Sequence, residues 1–165
     1  MQDIFKEIEY MKLMDFVSED TIEPELTGQN KGELLSRMVE MLHRSGKIND
    51  PEPLLKSLME RESIMTTGIG RGIAVPHAMN PEVKQLIIAL GKIPAGADFE
   101  SLDRKPVHFI FLLVGPPESA AQHLKTLARI SRLVQHTQFV ESIKKARNAR
   151  DIIRILAEED QKHTG

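Results

Sequence analysis

Two nearly continuous apolar runs, Q-L-I-I-A-L-G-K-I at residues 85–93 and V-H-F-I-F-L-L-V at 107–114, set the strongest limit on how this chain folds. A strand with one wet face alternates apolar and polar residues; these do not, so the sheet they form is covered on both faces. Helices must supply the cover, and the flanking sequence contains them. Asn30 and Glu33 stand at N-cap and N3 spacing, Leu34, Leu35, Met38, Met41 and Leu42 form a stripe, and Gly46 ends the helix. A second helix starts with Asp50 as cap and Pro51 at its first position, buries Leu54, Leu55, Leu58 and Met59, and ends near Arg61. After Gly115, Pro116 and Pro117, residues 118–134 read as a long helix with Ala120, Leu124, Leu127, Ala128 and Leu133 inward. Residues 137–146 and 148–158 read as two shorter helices, the second opened by Asn148 with Asp151 three residues on. Residues 21–26, which contain Pro24, suit an edge strand, and 72–75 another strand. The order of elements gives an α/β sandwich.

Composition narrows the function classes. A formal net charge of -2 and a pI near 6.3 give no electrostatic reason for nucleic acid or an anionic membrane as partner. The absence of cysteine excludes disulfides, thiolate metal sites and a thiol nucleophile, so covalent chemistry falls to other side chains. No apolar run approaches the roughly 20 residues that span a bilayer, and Asp3, Glu7 and Glu9 stand where a signal peptide is basic and then apolar. A cytoplasmic protein without membrane insertion is expected. Ile4, Phe5, Ile8 and Met11 fall at helical spacing in the first segment, which reads as a docking helix or a frayed end.

The chemistry concentrates in T-T-G-I-G-R-G-I-A-V-P-H-A-M-N, residues 66–80. A glycine-punctuated loop runs into a short apolar strand that stops at Pro76 and delivers His77. Proline lacks an amide hydrogen and fixes φ, so the ladder is expected to end there, and ligand sites in open α/β sheets gather at strand ends. Gly68, Gly70 and Gly72 permit positive φ and can present N–H groups to an anion. There is no G-x-G-x-x-G and no G-x-x-x-x-G-K-[ST], so neither a dinucleotide nor a P-loop triphosphate is indicated; no metal-ligand spacing and no G-x-S-x-G elbow are present either. No cofactor is expected. Taken alone, His77 is equally a phosphoryl acceptor or a strand-end histidine bonded to a loop carbonyl. His43, His108, His136 and His163 read as structural or solvent-facing.

Residues around His77 resemble the enzyme IIA domain, type 2, of the phosphoenolpyruvate:sugar phosphotransferase system, the fructose, mannitol and nitrogen-regulatory family. Glu62, then Ile69-Gly70, then Ile73-Ala74-Val75-Pro76-His77-Ala78 fill every restricted position of its active-site pattern, and the resemblance covers roughly residues 22–156. It implies a mixed, mostly five-stranded sheet with helices on both faces. It also implies domain limits of 21–158, with 1–20 an N-terminal extension and 159–165 a tail. His77 would be the phosphorylated nucleophile, attacking through Nε2, with Arg61 and His123 as its companions. Thr66, Thr67 and Gly68 are candidate phosphate donors, and Ile69, Ile73, Met79 and Ala78 a candidate apolar rim. Arg61 also fits a cation at a helix C-terminus, and His123 a packed helical face. The implied partners are an HPr-type phosphocarrier and either a IIB domain or a regulatory target protein. The implied role is a phosphotransferase in sugar uptake or, by the stretches Q-H-L-K-T-L-A and D-F-E-S-L-D, the nitrogen-regulatory branch. The alternative is a regulatory binding protein whose affinity for partners is switched by phosphorylation of His77.

Overall fold

The computed structural model describes residues 12–164. In chain order these form β1 (Ile22–Glu23), α1 (Lys31–Arg44), α2 (Pro51–Ile64), β2 (Gly68–Gly70), β3 (Ile73–Ala74), β4 (His77–Met79), β5 (Ile87–Ala97), β6 (Val107–Gly115), α3 (Ala120–Leu133), α4 (Thr137–Lys145) and α5 (Ala149–Thr164). Two short 3-10 turns, Leu13–Phe16 and Glu19–Thr21, precede them. The helical spacing of Ile4, Phe5, Ile8 and Met11 lies outside the described residues.

Five strands form the continuous path β1-β5-β6-β3-β2, and β4 pairs with β6 beside that path. The sheet is mixed. β5 and β6 run antiparallel down its centre, while β1 joins β5 and both β3 and β4 join β6 in parallel. The two apolar runs are therefore the central strands, and they bury both faces as expected. Phe109, Phe111, Leu113, Ile88 and Leu90 point into one core with α3, α4, α5 and the first 3-10 turn. Ile110, Leu112, Val114, Ala89 and Ile93 point into the other with α1 and α2. The period of two along β6 divides the molecule into two apolar layers.

The caps follow the local chemistry. Asn30 Oδ1 accepts from the Glu33 amide at 2.9 Å, the Glu33 carboxylate accepts from the Gln29 amide at 2.8 Å, and Gly46 leaves α1 with φ +77. A cap of this kind contributes about 1 kcal/mol. Asn148 Oδ1 accepts from the Asp151 amide at 2.8 Å and opens α5, which runs on to Thr164 rather than stopping at 158.

Three local expectations differ from the structure. α2 continues to Ile64, so Arg61 sits in its last turn rather than at its exit. Pro76 interrupts the ladder but does not end it. Its carbonyl accepts from the Leu113 amide at 3.0 Å, and pairing with β6 resumes at His77, opposite Leu113. In α3 the inward face is His123, Thr126, Arg129, Ile130 and Leu133, while Ala120 and Leu124 face out, Leu124 at 69% exposure. The buried polar residues have partners, or a site, that apolar periodicity does not report.

Candidate active site

His77 begins β4 and opens its parallel pairing with β6 opposite Leu113, and its ring is half-buried. Its Nδ1 lies 2.9 Å from the Val75 carbonyl oxygen. A carbonyl can only accept, so Nδ1 carries the proton, and in the neutral ring Nε2 keeps its lone pair. The bond to a loop carbonyl, which by itself reads as merely structural, is what selects the nucleophilic tautomer. The rigid Val75-Pro76 step fixes where that carbonyl points.

His123 enters from the first turns of α3, with its ring centroid 6.4 Å from that of His77 and the planes at 60°. It is buried, and among the described residues neither of its ring nitrogens has a hydrogen-bond partner. Burial first, and then the neighbouring His77, hold its pKa below the ordinary histidine value. A buried imidazole with two orphaned nitrogens is costly unless something outside the chain pairs with it. Gly115 makes room for the ring: a Cβ there would stand 2.6 Å from His123 Nε2 and collide with the Ser119 hydroxyl. The glycine that closes β6 is therefore required by the side chain above it, a demand that its place beside Pro116 does not reveal.

Arg61 comes from α2, which packs against β4. Its Nη1 donates to the Met65 carbonyl at 2.9 Å, closing the end of its own helix; the guanidinium fork has further donors. The loop that follows is held from inside. Buried Glu62 accepts from the Thr67 amide at 3.1 Å and from the Thr67 hydroxyl, and pairs with Lys31 at 3.0 Å. The Thr66 hydroxyl donates to Phe99 O at 2.8 Å and accepts from the Gly68 amide at 3.1 Å. The donors of Thr66, Thr67 and Gly68 are thus engaged within the protein and brace the approach to His77. Glu62 belongs to the sequence pattern, but its burial and its tie to Lys31 depend on a helix 31 positions away.

Residues 15–159 match the family described as "Phosphoenolpyruvate-dependent sugar phosphotransferase system, EIIA 2". The chain belongs to this EIIA 2 family. It is 32% identical to a PTS system fructose-specific EIIABC component of Bacillus subtilis (strain 168), over 92% of this chain but only 24% of that relative. It is 31% identical to a nitrogen regulatory protein of Bradyrhizobium diazoefficiens, over 89% of this chain and 95% of the relative. Its fold matches the crystal structure of nitrogen regulatory protein IIA-Ntr from Neisseria meningitidis with a TM-score of 0.79 and 25% identity, over 86% of this chain and 97% of that one. Among the described residues no helix is long and apolar enough to cross a membrane.

In this EIIA 2 chain His108 and His43 bond carbonyls elsewhere. His108 Nδ1 bonds Ile93 O at 3.1 Å within the sheet, and His43 Nδ1 meets Ile48 O at 3.3 Å at a helix end. The candidate rim is only partly as expected. Ile69 and Met79 are exposed, but Ile73 is 1% exposed and belongs to the core, because β3 lies between β2 and β6. Ile64, Met65 and Leu124 are open to solvent instead, next in sequence to the groups that carry Arg61 and His123.

Proposed function

We propose that the protein is a phosphohistidine carrier: Nε2 of His77 takes a phosphoryl group from an HPr-type phosphocarrier and hands it to a IIB domain or holds it as a regulatory signal. The observation that carries this reading is the pairing of a tautomer-fixed His77 with a buried imidazole whose nitrogens lack partners. In the transfer, the Nε2 lone pair forms the new P–N bond while the P–N bond of the donor breaks and its electrons return to the donor ring. The positive charge that develops on His77 is stabilised by the Val75 carbonyl at Nδ1–H. Because a P–N bond replaces a P–N bond, the step is nearly balanced in energy and runs in either direction. The protein's contribution is alignment and stabilisation of the phosphoryl oxygens. His123 offers an N–H to those oxygens, and Arg61 offers its remaining guanidinium donors once a phosphoryl group arrives. The exposed Ile64, Met65, Ile69, Met79 and Leu124 provide an apolar surface that a small carrier covers, excluding water from the labile bond.

Two uses of the same site remain distinct. Similarity to a fructose-specific component favours onward transfer for uptake. The near full-length correspondence with a nitrogen regulatory relative favours a switch in which phosphorylation of His77 alters affinity for a target protein. The deciding test of the shared chemistry is incubation with phosphoenolpyruvate, enzyme I and HPr, followed by intact mass measurement. Wild type gains one phosphoryl group, His77→Ala gains none, and Arg61→Ala gains it more slowly. Equal labelling of His77→Ala and wild type would overturn the assignment.

A further inference from the structure

The two imidazoles arrive on segments that meet again at the far end of α3, where the side chain of Arg71 bonds across. Arg71 occupies the turn between β2 and β3 with φ +58, between Gly70 at +97 and Gly72 at +81. The left-handed region is natural for the glycines but not for an arginine, whose Cβ crowds its own backbone there, so the surroundings must hold it. They hold it at both ends. Its amide donates to Asp103 Oδ2 at 3.3 Å, and its Nη1 donates to Val134 O at 3.1 Å and Gln135 O at 2.9 Å. The Asp103 carboxyl lies below its ordinary pKa, chiefly through the Lys105 amide, and so stays an anion for Arg71 to face.

Val134 and Gln135 end α3, where carbonyls lack intrahelical partners and a cation is favoured by the helix dipole. Together with Ile69, Gly70, Arg71 and Ser131 they line an open cleft of about 560 Å³. Deeper in, Ile73 and Val75 share one apolar core with Ile130, Leu133 and Val134, and the guanidinium bonds add directed polar contacts to that packing at the edge of the cleft. From Arg71 the chain runs through β3 straight to His77, and from Val134 the helix runs back as one rod to His123. His123 has no polar partner of its own among the described residues to orient it, so its place depends on how α3 is seated.

We propose that Arg71 is a positioning residue for phosphoryl transfer: by clamping the β2–β3 hairpin to the C-terminal end of α3, it sets the spacing between His77 and His123. This rests on the phosphocarrier reading above. Small misplacements of reacting groups cost large factors in rate, which gives the clamp a measurable consequence.

The test compares Arg71→Gly, which removes the clamp and also relieves the left-handed strain, with Arg71→Lys, which keeps a cation but not the planar fork. Ring nitrogen NMR titrations of His77 and His123 are followed in the unphosphorylated proteins, along with thermal stability and the rate of phosphoryl uptake from phospho-HPr. For Arg71→Gly the expected result is stability equal to or above wild type, displaced ring titrations, and a maximal uptake rate roughly tenfold lower with the half-saturating carrier concentration little changed. Arg71→Lys is expected to fall between the two. Ring titrations and uptake rates that superimpose on wild type in both variants would overturn the proposal. If Arg71→Gly fails to fold, Arg71→Lys decides by the same readouts. If wild type takes up no phosphoryl group, the phosphocarrier reading fails, while the ring titrations, which need no donor, still decide whether the clamp exists.

Discussion

Two polar side chains on the buried face of α3, His123 near its start and Arg129 further along, have opposite fates. Arg129 is fully buried, and its Nη2 donates to the Asp160 carbonyl at 3.0 Å and lies 3.5 Å from the Asp160 carboxylate. That carboxylate also accepts from the Met14 amide at 2.9 Å, so one buried pair ties α3 to α5 and to the 3-10 turn Leu13–Phe16. His123 is buried almost as deeply, yet among the described residues neither of its nitrogens has a hydrogen-bond partner. The contrast is between a guanidinium whose Nη2 is paired within the chain and an imidazole that has no hydrogen-bond partner among the described residues, the state expected of a group held for a ligand under the proposed function.

The largest expected effect tests the architectural member. Arg129→Met leaves Asp160 buried without its cation and lowers stability by about 3–5 kcal/mol in urea unfolding, while the folded fraction still accepts phosphoryl. Pairing it with Asp160→Leu should recover most of that loss. If the single change costs nothing, the ion pair is not what anchors α5.

At the other site, His123→Leu removes two unsatisfied buried nitrogens, so stability should hold or rise by about 1 kcal/mol. Phosphoryl uptake should slow by roughly a hundredfold, as for loss of a donor aimed at developing charge. A large loss of stability with unchanged uptake would reverse the roles assigned to the two residues.

The smallest effect concerns pH. Because the folded-state pKa of His123 is lowered, the unfolded chain holds a proton on this ring that the folded chain does not as pH falls through the ordinary histidine range. Stability therefore declines as pH drops from above the ordinary histidine pKa toward the lowered folded value. The decline should be shallower in His123→Leu when unfolding is measured across that range. Identical slopes would mean that this ring titrates alike in both states.

Much of this architecture was legible because it rests on neighbours in sequence. Asn30, Asp50 and Asn148 cap their helices through amides two or three residues ahead. The runs that became β5 and β6 carry their own evidence of double burial. Of the short strands, β1 and β3 were legible and β2 and β4 were not. β2 and β4 have three residues each and exist only through pairing with β3 and β6, so the glycine loop contains a strand and Pro76 is an interruption rather than an end. The phase of α3 misled for a related reason. Apolar periodicity placed Leu124 inward, whereas the helix turns His123 and Arg129 in and leaves Leu124 on the surface beside the site.

Sequence alone determined the layers and the helix starts set by caps, since these are written in local chemistry and spacing, while Arg61 and His123 were joined to His77 only by what the family resemblance implies. Only the tertiary structure decided which nitrogen of His77 is free, that His123 lies buried over Gly115 without a hydrogen-bond partner among the described residues, and that Arg71 bonds the end of α3. The first depends on the backbone turning the Val75 carbonyl back onto the ring, the second on the space left by Gly115, and the third on a helix end contributed by a distant part of the chain. Side-chain hydrogen bonding acts over about 3 Å, a distance that spacing along the sequence does not encode.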